Sequence, residues 1–502
     1  MLITILVYLA AMVGIGAVLA KQNQTTDDFY LGGRTLGPLV TAMRAEASDM
    51  SSWLLMGLPG VAYLSGTADA AWTAIGLAIG TYVNWLVVAK RLRNYTHVCG
   101  NSTTLPLFFS NRYRDNKRIL SVIAALLIII FFVPYTASGF AACGKLFANL
   151  FGMDYLPAML ISAIVIVAYT TLGGFLAART TDFVQSIVMT IAIVVVFGFG
   201  ISKVGSFSAV MDNAKSMAGY FSLTHTHDVA TGTASPYSLL QIFSTLAWGL
   251  GYFGMPHVLL RFMAIGDANK LKLSRRVATV WVVISMAVSV FIGVIGNAMT
   301  KAGVLPTLKD PETIILVVAD LISKHGVLAT IIAGLILAGI LAATMSTADS
   351  QLLAASSSAS QNILKEVFMK DMSEKTGMLI ARITVLVIAL IGVFIARNPD
   401  SSVFQIVSFA WAGFGASFGP LVLMALFWKR STFQGALCGM VSGGVMVFVW
   451  KFLIRPMGGA LGIYELLPAF LLGLAVNVIV SLLTPAPSRE VQDEFDKVAS
   501  MK

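Results

Sequence analysis

Thirteen stretches of this chain are apolar for long enough to cross a lipid bilayer, and this pattern determines the fold class. A helix of about 20 residues spans the roughly 30 Å hydrocarbon layer. Lipid offers no hydrogen-bond partner to an exposed backbone group, so each stretch is expected to be helical. The stretches lie at about residues 2–20, 38–63, 69–89, 119–144, 155–177, 183–202, 237–260, 277–300, 327–355, 378–396, 403–427, 433–452 and 463–484. The sequence therefore predicts an all-α polytopic membrane protein with about 13 transmembrane helices, called spans 1 to 13 below.

Composition supports this class and excludes others. Charged residues make up 12% of the 502 residues, against about 25% in a soluble protein, and the mean hydropathy is +0.84. The net charge of +10 would suggest a nucleic-acid partner for a soluble protein, but here we attribute it to loop topology and expect no nucleic-acid partner. The three cysteines show neither metal-ligand spacing nor a disulfide framework. The first stretch lacks a basic start, which indicates a retained span rather than a signal peptide.

Loop charges predict the orientation of the chain. Loops after odd-numbered spans, together with the C-terminal tail, carry 24 Lys and Arg residues, whereas the other loops carry 9. The positive-inside rule then places the N-terminus outside and the C-terminus in the cytoplasm. We expect one transmembrane domain over residues 1–484 and a polar, partly disordered tail over 485–502. Of the two long outside loops, 203–236 predicts a solvated connection, and the Asp310-Pro-Glu-Thr313 signal in 301–326 predicts a short surface helix.

Span 2 is polar where a membrane helix should be apolar. It carries Arg44, Glu46 and Asp49, and it then meets Gly57 and the pair Pro59-Gly60, which predict an interruption of the helix. Ionisable groups in lipid are costly, and they usually line a cavity or serve a function. The structural alternative is that these groups pair internally and only hold helices together. We favour a functional site.

Span 7 is interrupted in a corresponding way. The segment from Ser244 to His257 contains three glycines and a proline within an apolar stretch. Counting five spans from each interruption gives two matching halves, 38–202 and 237–427. Paired broken helices of this kind indicate a secondary transporter built from inverted repeats, with its substrate near the bilayer midplane.

Span 9 and the start of span 6 carry candidate cation ligands. Ser346, Thr347, Asp349 and Ser350 offer hard oxygen atoms that suit Na⁺. The structural alternative is that hydroxyls on a membrane helix bond back to the preceding turn, and we favour an ion site for Ser346 and Thr347. Asp182, at the cytoplasmic end of span 6, either caps that helix or acts as an inner cation stop.

Aromatic residues near the break in span 7 suggest a solute pocket. Trp248, Tyr252 and Tyr135 are either core residues or walls of that pocket. The sequence shows no nucleophile, metal cluster or paired acid and base of the kind that would indicate an enzyme. A channel would predict pore-lining rings, and a sensor would need a signalling domain. We therefore favour a transporter.

Several motifs, in order along the chain, resemble those of the sodium/solute symporter family. They are Asp27-Asp-Phe-Tyr-Leu-Gly-Gly-Arg34, Ala47-Ser-Asp-Met-Ser51, Leu172-Gly-Gly-Phe175, Trp248-Gly-Leu-Gly-Tyr-Phe-Gly254, Met345-Ser-Thr347 and Lys429-Arg-Ser-Thr-Phe-Gln-Gly-Ala436. Within that family the chain is most similar to the bacterial sodium/proline symporters, on the segments Ser52–Gly60, Gly251–Gly254, Pro256–His257, Arg261–Ala264 and Trp411–Ala416.

The resemblance implies a leucine-transporter-type core of inverted five-helix repeats in spans 2 to 11, with one extra N-terminal and two extra C-terminal helices. It implies a Na⁺ site formed by the carbonyls of Ala47, Met50 and Ala343 and the hydroxyls of Ser346 and Thr347. It implies that the solute is bordered by Ser51, Trp248, Tyr252, Pro256 and Tyr135. Asp49 would support sodium binding, Asp182 would lie on the inner ion path, and Arg34 would be a functional arginine in conformational coupling.

Three departures from the proline carriers stand out. Met255 stands where those carriers usually have Gln, and Arg44 and Glu46 stand where small neutral residues are usual, which suggests an additional buried pair. Asp349 supplies a carboxylate where a hydroxyl is usual. Some sialic-acid members of the family use this region for a second sodium, so the resemblance raises the hypothesis of a second Na⁺ site at Asp182, Asp349 and Ser350.

The sequence therefore predicts a symporter in which inward Na⁺ movement drives uptake of a small zwitterionic solute, with L-proline as the first choice. The alternative is the same machine carrying another amino acid, a sugar or a carboxylate. The expected partners are Na⁺, the solute and the lipid bilayer, with no obligatory protein partner. The expected location is the bacterial inner (plasma) membrane.

Overall fold

The computed structural model describes residues 1–20, 37–368, 373–398 and 402–501. The chain is almost entirely helical within these ranges, because long apolar segments satisfy their backbone groups internally. The helices are α1 Leu2–Ala20, α2 Pro38–Ser52, α3 Leu58–Ser65, α4 Thr67–Val83, α5 Ala89–Val98, α6 Leu105–Arg112, α7 Ile119–Phe151, α8 Tyr155–Val204, α9 Phe207–Ser216, α10 Leu239–Leu246, α11 Pro256–Ala264, α12 Leu271–Lys301, α13 Ile314–Ser323, α14 Val327–Ser357, α15 Glu374–Ala396, α16 Val403–Phe427, α17 Phe433–Val449, α18 Leu466–Leu483 and α19 Arg489–Ser500. A two-stranded antiparallel hairpin, β1 His225–His227 and β2 Ala234–Pro236, pairs Thr226 with Ser235.

The membrane class predicted from the sequence is confirmed. Nine helices in the described ranges are long and apolar enough to cross a bilayer, and shorter apolar helices lie at Leu2–Ile15, Tyr155–Ala168 and Leu239–Phe253. Large apolar side chains such as Ile164, Leu390 and Leu482 are well exposed on the outside of the bundle, as expected for surfaces that face lipid. The count of thirteen spans stays a prediction.

Helix α8 covers both of the stretches predicted as spans 5 and 6. A straight helix of its 50 residues would be about 75 Å long, far more than one bilayer crossing requires. Its first residue, Tyr155, donates its hydroxyl to the carbonyl of Ala396 at 2.6 Å, and Lys203 near its end lies 2.7 Å from a ring nitrogen of His325. Ala396 is the last residue of α15, and His325 lies just before α14, the span that precedes α15. Since consecutive spans cross in opposite directions, both contacts lie on the same side of the bundle. The α8 segment therefore passes through the bundle and returns.

The interruption of span 2 lies at Ser51, so its predicted position at Gly57 and Pro59-Gly60 is wrong. Ser51 has φ 44° and ψ −174°, a conformation that costs a non-glycine residue about 1–3 kcal/mol. Its hydroxyl accepts the backbone N–H of Trp53 at 3.0 Å, replacing the hydrogen bond that the helix loses. Pro59 falls in the first turn of α3, where its missing N–H does no harm.

The predicted interruption of span 7 is confirmed. Helix α10 continues as a 3₁₀ segment from Ala247 to Phe253, and α11 starts only at Pro256. Met255, between them, is extended with ψ 108°, as expected for a residue that precedes proline. The glycines serve close packing here: a β-carbon at Gly254 would overlap the backbone of Phe414 on α16.

We expect Gly251→Ala to abolish folding of the transporter core. A β-carbon at this position would overlap the indole of Trp411, whose nitrogen donates to the carbonyl of Trp248 at 2.8 Å. Size-exclusion profiles and thermal melting in detergent measure the effect. The matched control is Gly198→Ala, because a β-carbon at Gly198 meets no atom within 4 Å. A well-folded Gly251→Ala protein would contradict this packing.

The loops and the tail refine the sequence predictions. The predicted helix after Asp310 is confirmed as α13, and Asp310 accepts the N–H of Glu312 at 3.0 Å just before it. Its predicted surface position is wrong, because most of its apolar residues are buried. The prediction of a partly disordered tail is wrong for the described residues, because α19 buries Val491, Phe495 and Val498. Apolar residues spaced by three and four positions give this polar segment one apolar face.

Candidate functional site

The proposed sodium ligands on α2 and α14 lie close together. The Ser346 hydroxyl oxygen is 2.9 Å from the carbonyl oxygen of Ala47 and 3.1 Å from that of Ala343. Thr347 follows on the same helix, and its buried hydroxyl has no hydrogen-bond partner among the described residues. Met50 is buried one turn beyond Ala47, and its carbonyl accepts the N–H of Trp53 instead of a contact from α14.

This donor set suits Na⁺. Two carbonyl oxygens and two hydroxyls are hard, uncharged ligands that can replace a hydration shell. A buried hydroxyl without a partner costs about 1–3 kcal/mol. The Thr347 oxygen, which has no partner among the described residues, therefore indicates a position where a bound cation would be stabilised. Four of the five predicted ligands, Ala47, Ala343, Ser346 and Thr347, therefore offer oxygens that fit the ion.

Asp49 joins this ion site to the predicted solute residues. Its carboxylate accepts the hydroxyl of Tyr252 at 2.5 Å, and its backbone carbonyl accepts the hydroxyl of Tyr135 at 3.3 Å. Its other carboxylate oxygen is buried with no hydrogen-bond partner in the described ranges. Span 2, α7 and span 7 thus converge two residues after Ala47.

Trp248, a predicted solute residue, stands in a cluster of aromatic rings. Its ring centroid lies 5.5 Å from Trp53, 5.6 Å from Phe404 and 5.1 Å from Tyr464. Sequence reasoning missed the three partners, because they come from three distant segments of the chain. Ser51 lies at the break in span 2, Pro256 starts α11 after the break in span 7, and both are buried.

A cavity of about 380 Å³ adjoins the aromatic cluster. Phe404 and Gly57 line it together with Lys145 and Glu312. Phe404 belongs to both the cavity wall and the ring cluster, so this ring joins the two features. The cavity is large enough for a small solute.

Asp182 does not cap a helix, so that alternative is wrong. One carboxylate oxygen accepts Nε of Arg44 at 2.7 Å, with both side chains fully buried, and the other has no hydrogen-bond partner among the described residues, so neither accepts a backbone N–H. The suggested additional buried pair is therefore Arg44 with Asp182, and Glu46 instead accepts the indole N–H of Trp85 at 3.2 Å. Near the same place, Arg261 donates to the hydroxyl of Ser350 at 2.5 Å.

The remaining predicted residues are Asp349, Ser350 and Arg34. Asp349 is buried beside Ser350, whose hydroxyl lies 3.1 Å from its carboxylate. Arg34 lies outside the described residues. Arg261 stands in the motif Arg261–Ala264, and a charged residue at the end of an apolar span is itself a signal of function.

Comparison with known proteins assigns the family. The family model described as "Sodium:solute symporter family" matches residues 29–443. The chain belongs to the sodium:solute symporter family. The symporter is 41% identical to the sodium/proline symporter of Salmonella typhimurium over 502 residues, which cover 99% of this chain and 96% of that protein. It is 39% identical over 489 residues to the osmoregulated proline transporter OpuE of Bacillus subtilis, which cover 97% of this chain and 96% of that one.

Solved structures establish the fold of the symporter. A Na⁺-coupled sialic acid symporter in a substrate-bound outward-open state matches with a TM-score of 0.79 at 19% identity, covering 97% of this chain and 98% of that one. A nucleobase-cation-symport-1 family transporter in a closed conformation matches with a TM-score of 0.55 at 15% identity, covering 94% and 98%. The predicted leucine-transporter-type fold is confirmed by these neighbours. The limits of the two repeats stay a prediction.

Proposed function

We propose that the protein couples inward movement of Na⁺ to uptake of L-proline by alternating access. Membership of a symporter family gives the reaction class, and the named relatives suggest the solute. The observation that carries the proposal is the turn from Ala47 to Ser51. One end of this turn faces the hydroxyls of α14, and the other faces Tyr252 and Tyr135.

Coupling between ion and solute is short-range in this arrangement. A cation held by Ala47, Ser346 and Thr347 ties α2 to α14 on one side of the Ser51 break. Ordering that turn also fixes Asp49, and through it the hydroxyl of Tyr252. Na⁺ therefore favours the conformation that binds solute, and by linkage the solute favours the conformation that binds Na⁺.

The ion gradient supplies enough work for concentrative uptake. One charge moving down 100 mV yields about 2.3 kcal/mol. At about 1.4 kcal/mol per tenfold, this supports a roughly 50-fold accumulation of solute before any Na⁺ concentration ratio is added. The loop charges support the expected orientation, with the C-terminus in the cytoplasm of a bacterial cell.

The chemistry around the break in span 7 suits L-proline. The solute combines a small apolar ring with a carboxylate and a secondary ammonium group. Trp248 offers an aromatic wall to the ring, and Asp49 has a free carboxylate oxygen among the described contacts. Met255 is fully buried and cannot donate a hydrogen bond, so another small solute stays the alternative.

Uptake of radiolabelled L-proline into proteoliposomes tests the proposal directly. We expect accumulation that requires an inward Na⁺ gradient and that an ionophore abolishes. Na⁺-dependent quenching of tryptophan fluorescence without proline uptake would retain the ion site and overturn the choice of solute. Proline uptake without any Na⁺ requirement would overturn the coupling.

We expect Trp248→Ala to raise the solute KM about tenfold or more, while the Na⁺ concentration for half-maximal uptake changes little. The substitution removes an aromatic wall but leaves the ligands of the ion in place. The matched control is Trp281→Ala, since Trp281 is half-buried on α12 and its indole N–H donates to the hydroxyl of Thr190 on α8 at 3.0 Å, outside the aromatic cluster. An unchanged KM in Trp248→Ala would return this residue to a purely structural role.

A further inference from the structure

Two arginines and two aspartates are buried together one turn beyond the sodium site. Arg44 and Asp182 are 0% exposed, and Arg261 and Asp349 are each 1% exposed. They come from four separate elements, α2, α8, α11 and α14. The proposed function uses none of the arginines, so this charged group needs its own explanation.

Direct contacts join Arg44 to Asp182, and Arg261 to Asp349 through Ser350, which also contacts a sodium-ligand residue. Arg44 Nε donates to Asp182 at 2.7 Å, and Arg261 donates to Ser350 at 2.5 Å. The Ser350 hydroxyl in turn lies 3.1 Å from the Asp349 carboxylate and 2.9 Å from the carbonyl oxygen of Ser346. Four residues of helix rise by about 6 Å, so this group and the sodium site are adjacent but separate.

The charges balance without an added ion. Asp182, Arg44 and Arg261 all act electrostatically on Asp349, so two formally positive and two formally negative groups share one buried region. Charges that are removed from water are stable only when they are paired. A Na⁺ ion entering here would leave one uncompensated positive charge and would have to displace a hydrogen-bonded guanidinium.

The residues suggested for a second sodium therefore do not fit one. We propose that the guanidinium groups of Arg44 and Arg261 act as tethered cations in place of a second Na⁺, so that this protein binds a single Na⁺. Asp182 and Asp349, which alone would attract a mobile cation, are neutralised by side chains that cannot leave the site. This inference rests on the proposed sodium coupling.

Counting bound sodium tests the inference without relying on transport. Equilibrium binding of ²²Na⁺ to purified protein is expected to give one ion per wild-type chain, with a Hill coefficient near 1 in Na⁺-dependent fluorescence. Arg44→Ser removes the tethered cation from Asp182 and is expected to bind two ions with a Hill coefficient approaching 2. Arg44→Lys keeps a cation at this position and is expected to bind one.

A double variant identifies the new ion. With Ser346→Ala added, the wild-type background is expected to lose its only Na⁺, whereas the Arg44→Ser background is expected to retain one. Two ions bound to the wild-type protein would overturn the inference, as would one ion bound to a folded Arg44→Ser protein. If Arg44→Ser does not fold, the wild-type count and Arg44→Lys decide. A wild-type protein that binds no Na⁺ would overturn the proposed function instead.

Discussion

We expect Thr347→Ala to raise the Na⁺ concentration needed for half-maximal uptake about 10- to 150-fold. Thr347 is buried, and its hydroxyl has no partner in the described part of the chain, so the substitution removes an oxygen that only the ion would use. Interactions of a neutral group with a charge contribute about 1.5–3 kcal/mol, and about 1.4 kcal/mol corresponds to a tenfold change in affinity. Sodium titration of proline uptake, or of tryptophan fluorescence, measures this shift.

The same helix provides a matched control for this experiment. Thr344 is equally buried, but its hydroxyl already donates to the carbonyl of Ile340 at 2.9 Å. Thr344→Ala is therefore expected to leave Na⁺ activation nearly unchanged, whereas Ser346→Ala should shift it as Thr347→Ala does. Equal Na⁺ activation in Thr344→Ala and Thr347→Ala would remove Thr347 from the ion site.

The second large effect is expected outside the ion site, at Glu312. Its carboxylate accepts Lys145 Nζ at 2.9 Å, and it also accepts the backbone N–H groups of Val403 and Phe404 at 3.1 and 3.0 Å. One buried group thus binds α7 and satisfies the start of α16. Glu312→Ala leaves the buried Lys145 without this partner, so we expect a destabilisation of about 3–5 kcal/mol.

Thermal melting of the purified protein in detergent measures this loss, and Asp310 provides the comparison. Asp310 pairs with the same Lys145 at 2.8 Å, but its side chain is 39% exposed. Exposed ion pairs contribute only about 0–1 kcal/mol, so Asp310→Ala should barely move the melting temperature. If the two variants lose the same stability, the structural role assigned to Glu312 is wrong.

The candidate ion site could be proposed from the sequence, whereas the path of the backbone could not. Ser346 and Thr347 could be chosen because hydroxyls beside a carboxylate are rare in an apolar span. The break at Ser51 could not be predicted, since Gly57 and Pro59-Gly60 carry stronger local signals. In the structure those residues serve packing and the start of α3. A serine whose hydroxyl replaces a lost backbone hydrogen bond gives no recognisable pattern in the sequence.

Partners across the fold could not be read from one sequence either. The sequence shows the polar character of span 2. It does not show that Arg44 pairs with Asp182, 138 residues away, and not with Glu46. The rings that surround Trp248 come from three other segments for the same reason. Local periodicity was also overlooked in the tail, where Val491, Phe495 and Val498 share one face of α19.

The position of Asp49 has a consequence for how carriers of this kind diversify. The proposed ion ligands lie on α2 and α14, whereas the proposed solute residues Tyr252 and Trp248 lie on span 7, as does Met255. Substitutions on span 7 can therefore alter which solute is accepted while the sodium ligands stay intact. Such a carrier can keep its coupling to the Na⁺ gradient while it comes to bind a new solute, provided that Asp49, which joins the two proposed sites, is unchanged.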